Sequence, residues 1–269
     1  MKRKIPLIVL CILFAGMSVY YSLGLYRQGR EYRAGEQAYE QLTQYVHPQL
    51  PADPGPQTLY DTPTHPPEEA LPSEPIPTGE TDDILWPLVD FEALRSVNSD
   101  VVGWICIEGT NINYPVVQGT DNSFYLNRMF NGSDNRAGSI FMDYRNEKDL
   151  SGRNTVLYGH HMQNGTMFSQ ITKYKDQTFY DRHPTGFFLT PEGNYQIEFV
   201  AGYVTDLNSE AWKLEFASDE EFSLWLADAI AQSTFTGTVE PVAQDRVVTL
   251  STCTYEYSDA RYVLIGILK

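Results

Sequence analysis

Arg246-Val247-Val248-Thr249-Leu250-Ser251-Thr252-Cys253 runs from β-branched and apolar residues into small hydroxyl side chains and ends on a thiol. A polar stretch follows, and then Arg261-Tyr262-Val263-Leu264-Ile265-Gly266-Ile267-Leu268 forms a second apolar run. Both compositions predict strands, and the polar residues between them predict a hairpin turn. Hairpin pairing sets Cys253 and Arg261 side by side at one end of a sheet. A guanidinium there is placed to stabilise a thiolate or a developing oxyanion. Plainer readings stay open for both: Cys253 as a small buried apolar group, and Arg261 as a surface ion pair with Asp259 or Glu256.

Upstream, from Val101 onward, the chain is mostly short β-rich runs broken by turn residues. They are Gly103–Ile107, Tyr114–Gln118, Ser139–Met142, Thr155–Tyr158 and Tyr195–Val204. Asp90 caps a short helix over Phe91–Leu94. One clear helix interrupts the strands: Ser218-Asp219-Glu220-Glu221 has the capping-box form, and Phe222, Trp225, Leu226, Ala229 and Ile230 make an apolar stripe. Many strands and few helices predict a barrel or a sandwich.

The amino-terminal third reads differently. Met1-Lys2-Arg3-Lys4 is cationic, and Ile5 to Tyr26 follows with 22 uncharged residues. As a helix that run is about 33 Å long, against a hydrocarbon core of roughly 30 Å. It predicts a single membrane-spanning anchor with the basic flank in the cytoplasm and the rest outside. A cleaved signal peptide is the alternative, but no small-x-small cleavage site closes the run. Arg27 to Val46 predicts a short polar helix with Tyr32, Tyr39, Leu42 and Val46 on one stripe, weakened by Gly35. Ten of the 16 prolines then fall between Pro48 and Pro77. That stretch predicts an extended, disordered spacer; at about 3.1 Å per residue, some 35 residues reach on the order of 100 Å. Three parts result: residues 1–26 as anchor, 27–83 as juxtamembrane helix and Pro-rich acidic tether, and 84–269 as the folded domain.

Charge follows the same division, at +3 for residues 1–46, −8 for 47–83 and −11 for 84–269, which together make the net −16. Such a field repels nucleic acid, and no basic cluster is available for counterion release. Three widely spaced cysteines, Cys11, Cys106 and Cys253, make no disulfide scaffold, and no His/Cys grouping has zinc-site spacing. Cys106, within Trp104-Ile105-Cys106-Ile107, reads as strand packing.

A thiol nucleophile needs a base or a positive neighbour. Only five histidines are present. His47 and His65 lie in the tether and His183 precedes a proline. His160 and His161 follow Thr155-Val156-Leu157-Tyr158-Gly159 at a strand end. Adjacent residues on extended backbone face opposite ways, so at most one of the pair faces Cys253.

Thr249-Leu250-Ser251-Thr252-Cys253, with Arg261 on the next strand and Gly159-His160 upstream, resembles the sortases, the Gram-positive cysteine transpeptidases. Asn98–Ile105, Tyr114–Gln118 and Gly138–Asp143 look like class B sortase segments, as does the long insertion Asp206–Ser233. The resemblance covers nearly all of residues 84–269.

The resemblance implies a mainly β, eight-stranded sortase barrel with a few short helices. It implies that Cys253 attacks the carbonyl of a Thr in the C-terminal sorting signal of a secreted protein. A thioester forms, and an amine of a cell-wall peptide or a pilin then resolves it. His160, which directly follows the glycine, would protonate the leaving amine and deprotonate the incoming one, and Arg261 would hold the oxyanion. By the same matching, Asn122, Leu126, Tyr158, Ser251, Thr252 and Trp212 would bind substrate. No metal and no cofactor is implied; the acidic run Asp219-Glu220-Glu221 is accounted for by a helix N-terminus. NPQTN-like and (S/P)PxTG-like signals both occur in the class. A pilin-polymerising sortase and a cysteine protease that only hydrolyses such signals are the alternatives.

Overall fold

In the computed structural model, residues 4–47 and 86–269 are described. The apolar, β-branched runs close on themselves as an eight-stranded barrel. Its strands are β3 (Val101–Cys106), β4 (Asn113–Val117), β5 (Ile140–Met142), β6 (Asn154–Tyr158), β7 (Thr185–Leu189), β8 (Asn194–Thr205), β9 (Arg246–Cys253) and β10 (Arg261–Leu268). The order around the barrel is β10-β8-β7-β3-β4-β5-β6-β9. Closure removes the exposed edges that would otherwise leave backbone groups unpaired. β4–β5 and β6–β9 are parallel, and the remaining pairs are antiparallel.

Seven of the eight strands are those expected from the sequence. β7 goes unread there, because Gly186 and the His183-Pro184 turn signal break up a five-residue run. Trp104, Ile105, Phe188, Phe199, Leu250 and Leu264 are fully buried in one continuous apolar cluster. β8 carries one extra residue, Val200, opposite the Ile265–Gly266 step of β10. A Cβ on Gly266 would lie 2.3 Å from Ile197 Cγ2, so only glycine allows β8 and β10 to close there.

The two expected helix caps form. Asp90 Oδ1 accepts from Ala93 N at 2.9 Å ahead of α2 (Phe91–Val97), and Ser218 Oγ accepts from Glu221 N at 3.2 Å ahead of α4 (Asp219–Ala231). Phe222, Leu226 and Ala229 bury α4 against β8 and β10 residues such as Val200 and Val263, while Ile230 stays exposed. A further short helix, α3 (Gln177–Arg182), precedes β7 and is not apparent in the sequence.

The amino-terminal residues differ most from expectation. One continuous helix, α1, runs Lys4–Leu42, straight through Gly35. Gly35 is buried, and a Cβ there would meet Asn135 and Ala137 at ordinary contact distances of 3.4 to 3.6 Å; the residue that reads as a weak point is covered by the barrel. Tyr39 Oη donates to Gly138 O at 2.5 Å, and its ring packs edge-on against Tyr114. Asn164 Nδ2 donates to Glu36, and Arg136 N donates to Glu31. The expected juxtamembrane helix is therefore docked on the barrel.

After α1, β1 (Val46–His47) pairs with β2 (Leu88–Val89), and Asp90 N donates to Tyr45 O. The Pro-rich spacer lies outside the described residues. Its two flanks are clamped together, so it does not set the distance between α1 and the barrel. The expected membrane-spanning helix is met only in part. Residues 5–26 belong to α1, yet among the described residues no helix is long and apolar enough to cross a membrane. The side chains of residues 4–8 and of Cys11, which belong to the apolar run, are outside those described.

Replacing Gly266 with Val should cost about 1–3 kcal/mol through overpacking against Ile197. Calorimetry would register this as a melting temperature several degrees lower, and an unchanged melting temperature would contradict the close approach.

Candidate active site

Three neighbouring strands deliver the reactive side chains to one end of the barrel. β9 and β10 pair antiparallel with Cys253 directly opposite Arg261. β6 runs parallel to β9 on its other side, with Tyr158 opposite Ser251, so the residues that leave β6 emerge beside Cys253. Gly159 N donates to Ser251 O at 3.1 Å, and Thr252 Oγ1 donates to Gly159 O at 2.7 Å, pinning the turn into His160. A Cβ on Gly159 would meet Ile140 Cδ1 at 2.5 Å and Phe168 at 2.7 Å. The glycine before the histidine is thus a packing requirement.

A cleft of about 380 Å³ opens at this end. Cys253, His160 and Arg261 line it, together with Asn122, Leu126, Tyr158, Ser251, Thr252 and Trp212. All nine residues singled out in the sequence therefore border one cavity. Two more line it that the sequence did not reveal, Phe141 and Leu207. Phe141 packs against the Tyr158 ring. Leu207 is 55% exposed on the loop after β8; a lone apolar residue in Asp206-Leu207-Asn208-Ser209 is the signal that could have pointed to it.

The hydrogen bonds show what holds this cleft open. His160 Nε2 lies 2.6 Å from the Leu126 carbonyl, which only accepts, so Nε2 carries a hydrogen. Ser251 and Thr252 are buried, and their hydroxyls are engaged: Trp212 Nε1 donates to Ser251 Oγ at 3.2 Å, and Thr252 binds Gly159. They brace the wall from inside. His161 turns away from the cleft, and its Nδ1 donates to the Cys253 carbonyl at 2.8 Å. It steadies the backbone that carries the thiol.

Cys106 is the contrasting cysteine. Burial, and secondarily the charge of Glu108, push its thiol up to about 12, so it stays neutral and unreactive.

One organising residue was missed in the sequence. Asp143, fully buried just after β5, accepts from Tyr158 Oη at 2.9 Å, Asn122 Nδ2 at 2.9 Å, and the Arg145 guanidinium at 2.8 and 2.9 Å. Asn122 in turn accepts from Tyr144 N at 3.0 Å. Two cleft-lining side chains thus hang from one carboxylate. Burial raises the Asp143 pKa, but its Arg145, Tyr158 and Asn122 partners outweigh burial and hold it below the ordinary carboxylate range.

Because the folded-state pKa is depressed, Asp143 contributes stability in full above the unfolded value of about 3.9. The contribution disappears as pH falls below that, through the lower folded value. Asp143→Asn should cost about 1–3 kcal/mol near neutrality, as expected for hydrogen bonds to a charged group. Thermal melts should show the gap from wild type narrowing as pH drops below about 4. A gap that is constant with pH would mean Asp143 is uncharged in the folded protein.

Comparison with known proteins agrees with this geometry. The sortase domain family matches residues 105–269. Sortase B of Staphylococcus aureus (strain NCTC 8325 / PS 47) is 38% identical over 179 residues, spanning 66% of this chain and 73% of the relative. The Staphylococcus aureus sortase B–substrate complex superposes with a TM-score of 0.64 at 38% identity, over 66% of this chain and 84% of that one. A sortase B structure complexed with triglycine gives 0.64 at 38% identity, over 66% and 85%. With a cysteine, a histidine and an arginine at one end of an eight-stranded barrel, the chain belongs to the sortase family of cysteine transpeptidases, in class B.

Proposed function

We propose that this sortase cleaves a C-terminal sorting signal of secreted proteins after Thr and passes the acyl group, through a Cys253 thioester, to a peptide amine of the cell wall. The register that sets Cys253 opposite Arg261, with His160 on the same cleft, carries the reading. The Cys253 thiolate adds to the Thr carbonyl. The oxyanion that forms is met by the Arg261 guanidinium, which bears a permanent positive charge. The intermediate collapses as the C–N bond breaks, and His160 gives the leaving amine its proton. The incoming amine then attacks the thioester, His160 takes its proton, and the amide forms as the thiolate leaves. Asn122, Leu126, Tyr158 and Trp212 form the walls that hold the signal, with Ser251 and Thr252 bracing them from beneath.

The glycine peptide in the related sortase B complex supports an oligoglycine-type acceptor. The charge-free run Ile5–Tyr26 behind a basic start, with Ile12, Leu13 and Phe14 about 60–65% exposed on α1, supports attachment at the cell membrane with the barrel outside. Pilin polymerisation and hydrolysis alone are the competing outcomes, and both use the same cleft.

The test is mass spectrometry of products from fluorogenic peptides carrying NPQTN or SPxTG cores, with and without triglycine. Cleavage followed by triglycine-linked product is expected; hydrolysed peptide alone, at every triglycine concentration, rejects transfer. Cys253→Ala should abolish both products and His160→Ala nearly so. Arg261→Ala should lose about 10²–10³-fold in turnover, as for loss of an oxyanion donor. Full activity of Arg261→Ala would remove that role.

A further inference from the structure

We propose that a second, polar hollow behind His160, walled by α1, receives the acceptor: a short peptide with a free amine. The proposal rests on the transfer reaction above and names where its second substrate binds.

His160 borders two spaces. One is the cleft with Cys253 and Arg261. The other, of about 300 Å³, lies between α1 and the barrel end and is lined by Gln28, Tyr32, Asn127, Arg136, His161 and Tyr255. Gln28 and Tyr32 come from α1 and are tied to each other by a 2.9 Å hydrogen bond from Gln28 Nε2 to Tyr32 Oη. His161 and Tyr255 belong to the segments that directly follow His160 and Cys253 in the chain.

The chemistry requires such a space. In acyl transfer the incoming nitrogen takes the position the leaving nitrogen held in the tetrahedral intermediate, while the chains that the two nitrogens carry differ and need not share a volume. One imidazole serves both, so the amine half must sit against His160, in a volume that the acyl half does not fill. The cleft is lined by Leu126, Phe141, Tyr158, Leu207 and Trp212, apolar surfaces suited to the side chains of a signal peptide. The hollow behind His160 is lined instead mainly by amides, phenols, a guanidinium and imidazoles. Those groups hydrogen-bond to peptide backbone, and a peptide of small residues offers little else.

The seam between α1 and the barrel continues from this hollow. A cavity of about 450 Å³ shares Tyr32 and Met162 with it and is bordered by Glu36 and Glu40. A longer acceptor has room to extend along the helix there. Docking of α1 through Tyr39 and Gly35 thus has a use beyond stability: it completes the wall of the acceptor site.

The experiment separates the two half reactions on the full chain. With a fluorogenic sorting peptide and no amine, turnover reports acylation followed by hydrolysis; with triglycine added, product ratio and triglycine KM report the acceptor side. Tyr32→Ala and Gln28→Trp, one enlarging and one filling the hollow, should leave peptide cleavage without amine within twofold of wild type. Each should raise the triglycine KM about tenfold, equivalent to about 1.4 kcal/mol. Triglycine KM within twofold of wild type in both variants overturns the proposal, as does a parallel loss of acylation. If wild type itself shows no triglycine-dependent product, the transfer reading fails, and this proposal with it.

Discussion

The parallel pairing of β6 with β9 is the constraint on which the site depends. β9 alone brings a thiol to its end, and its hairpin with β10 adds the guanidinium through strict cross-strand register. The histidine comes from a strand nearly a hundred residues earlier. It meets the thiol only because Tyr158 pairs with Ser251 and the chain then turns through Gly159. A one-residue slip of either pairing would turn the side chains to the other face of the sheet. Two hydroxyl braces, Thr252 on Gly159 and Ser251 on Trp212, fix the ends of these strands where ladder bonds run out. Residues that a sequence motif presents as part of the reactive group act through geometry, from inside the wall.

Around that constraint the molecule divides its polar groups by task. Asp143 is a buried anion with every partner in place, which makes it a rigid hook for Asn122 and Tyr158 rather than an acid. His161, next to the histidine of the cleft, is spent on the Cys253 carbonyl. The chain thereby gives each of two neighbouring imidazoles one function, as alternation on extended backbone requires. Cys106 and Cys253 divide in the same way, one sulfur kept neutral by its packing in the barrel wall and the other on the cleft.

How much of this is legible in the sequence depends on how local the signal is. The run ending at Cys253 and the strand beginning at Arg261 declare their hairpin through composition alone, and Ser218 and Asp90 declare their helices through their own side chains. The Asp143 network was not legible, because Asn122 and Tyr158 lie some twenty residues before it and fifteen after it and meet it only once β5 and β6 are paired. β7 was hidden by its turn-like Gly186, which the fold uses to let Phe199 and Ile107 pack close. The docked α1 was misread for the same kind of reason. Gly35 weakens a helix in isolation, and only the barrel surface beneath it, gripped by Tyr39 and Glu36 on the same helix, shows why the helix continues. The paired flanks at Val46 and Val89 likewise change the meaning of the Pro-rich stretch between them, since its length no longer sets how far the barrel stands from α1.

The central claim is that one sulfur, placed by strand pairing between an imidazole and a guanidinium, carries the acyl group between two amines. Intact-mass spectrometry of the protein during turnover of a sorting peptide, followed by peptide mapping, tests it most directly. The account predicts an adduct with the mass of the acyl fragment, confined to Cys253 and discharged when triglycine is added. An adduct on Cys106 or another residue, or signal cleavage that continues after Cys253 has been alkylated, would contradict it.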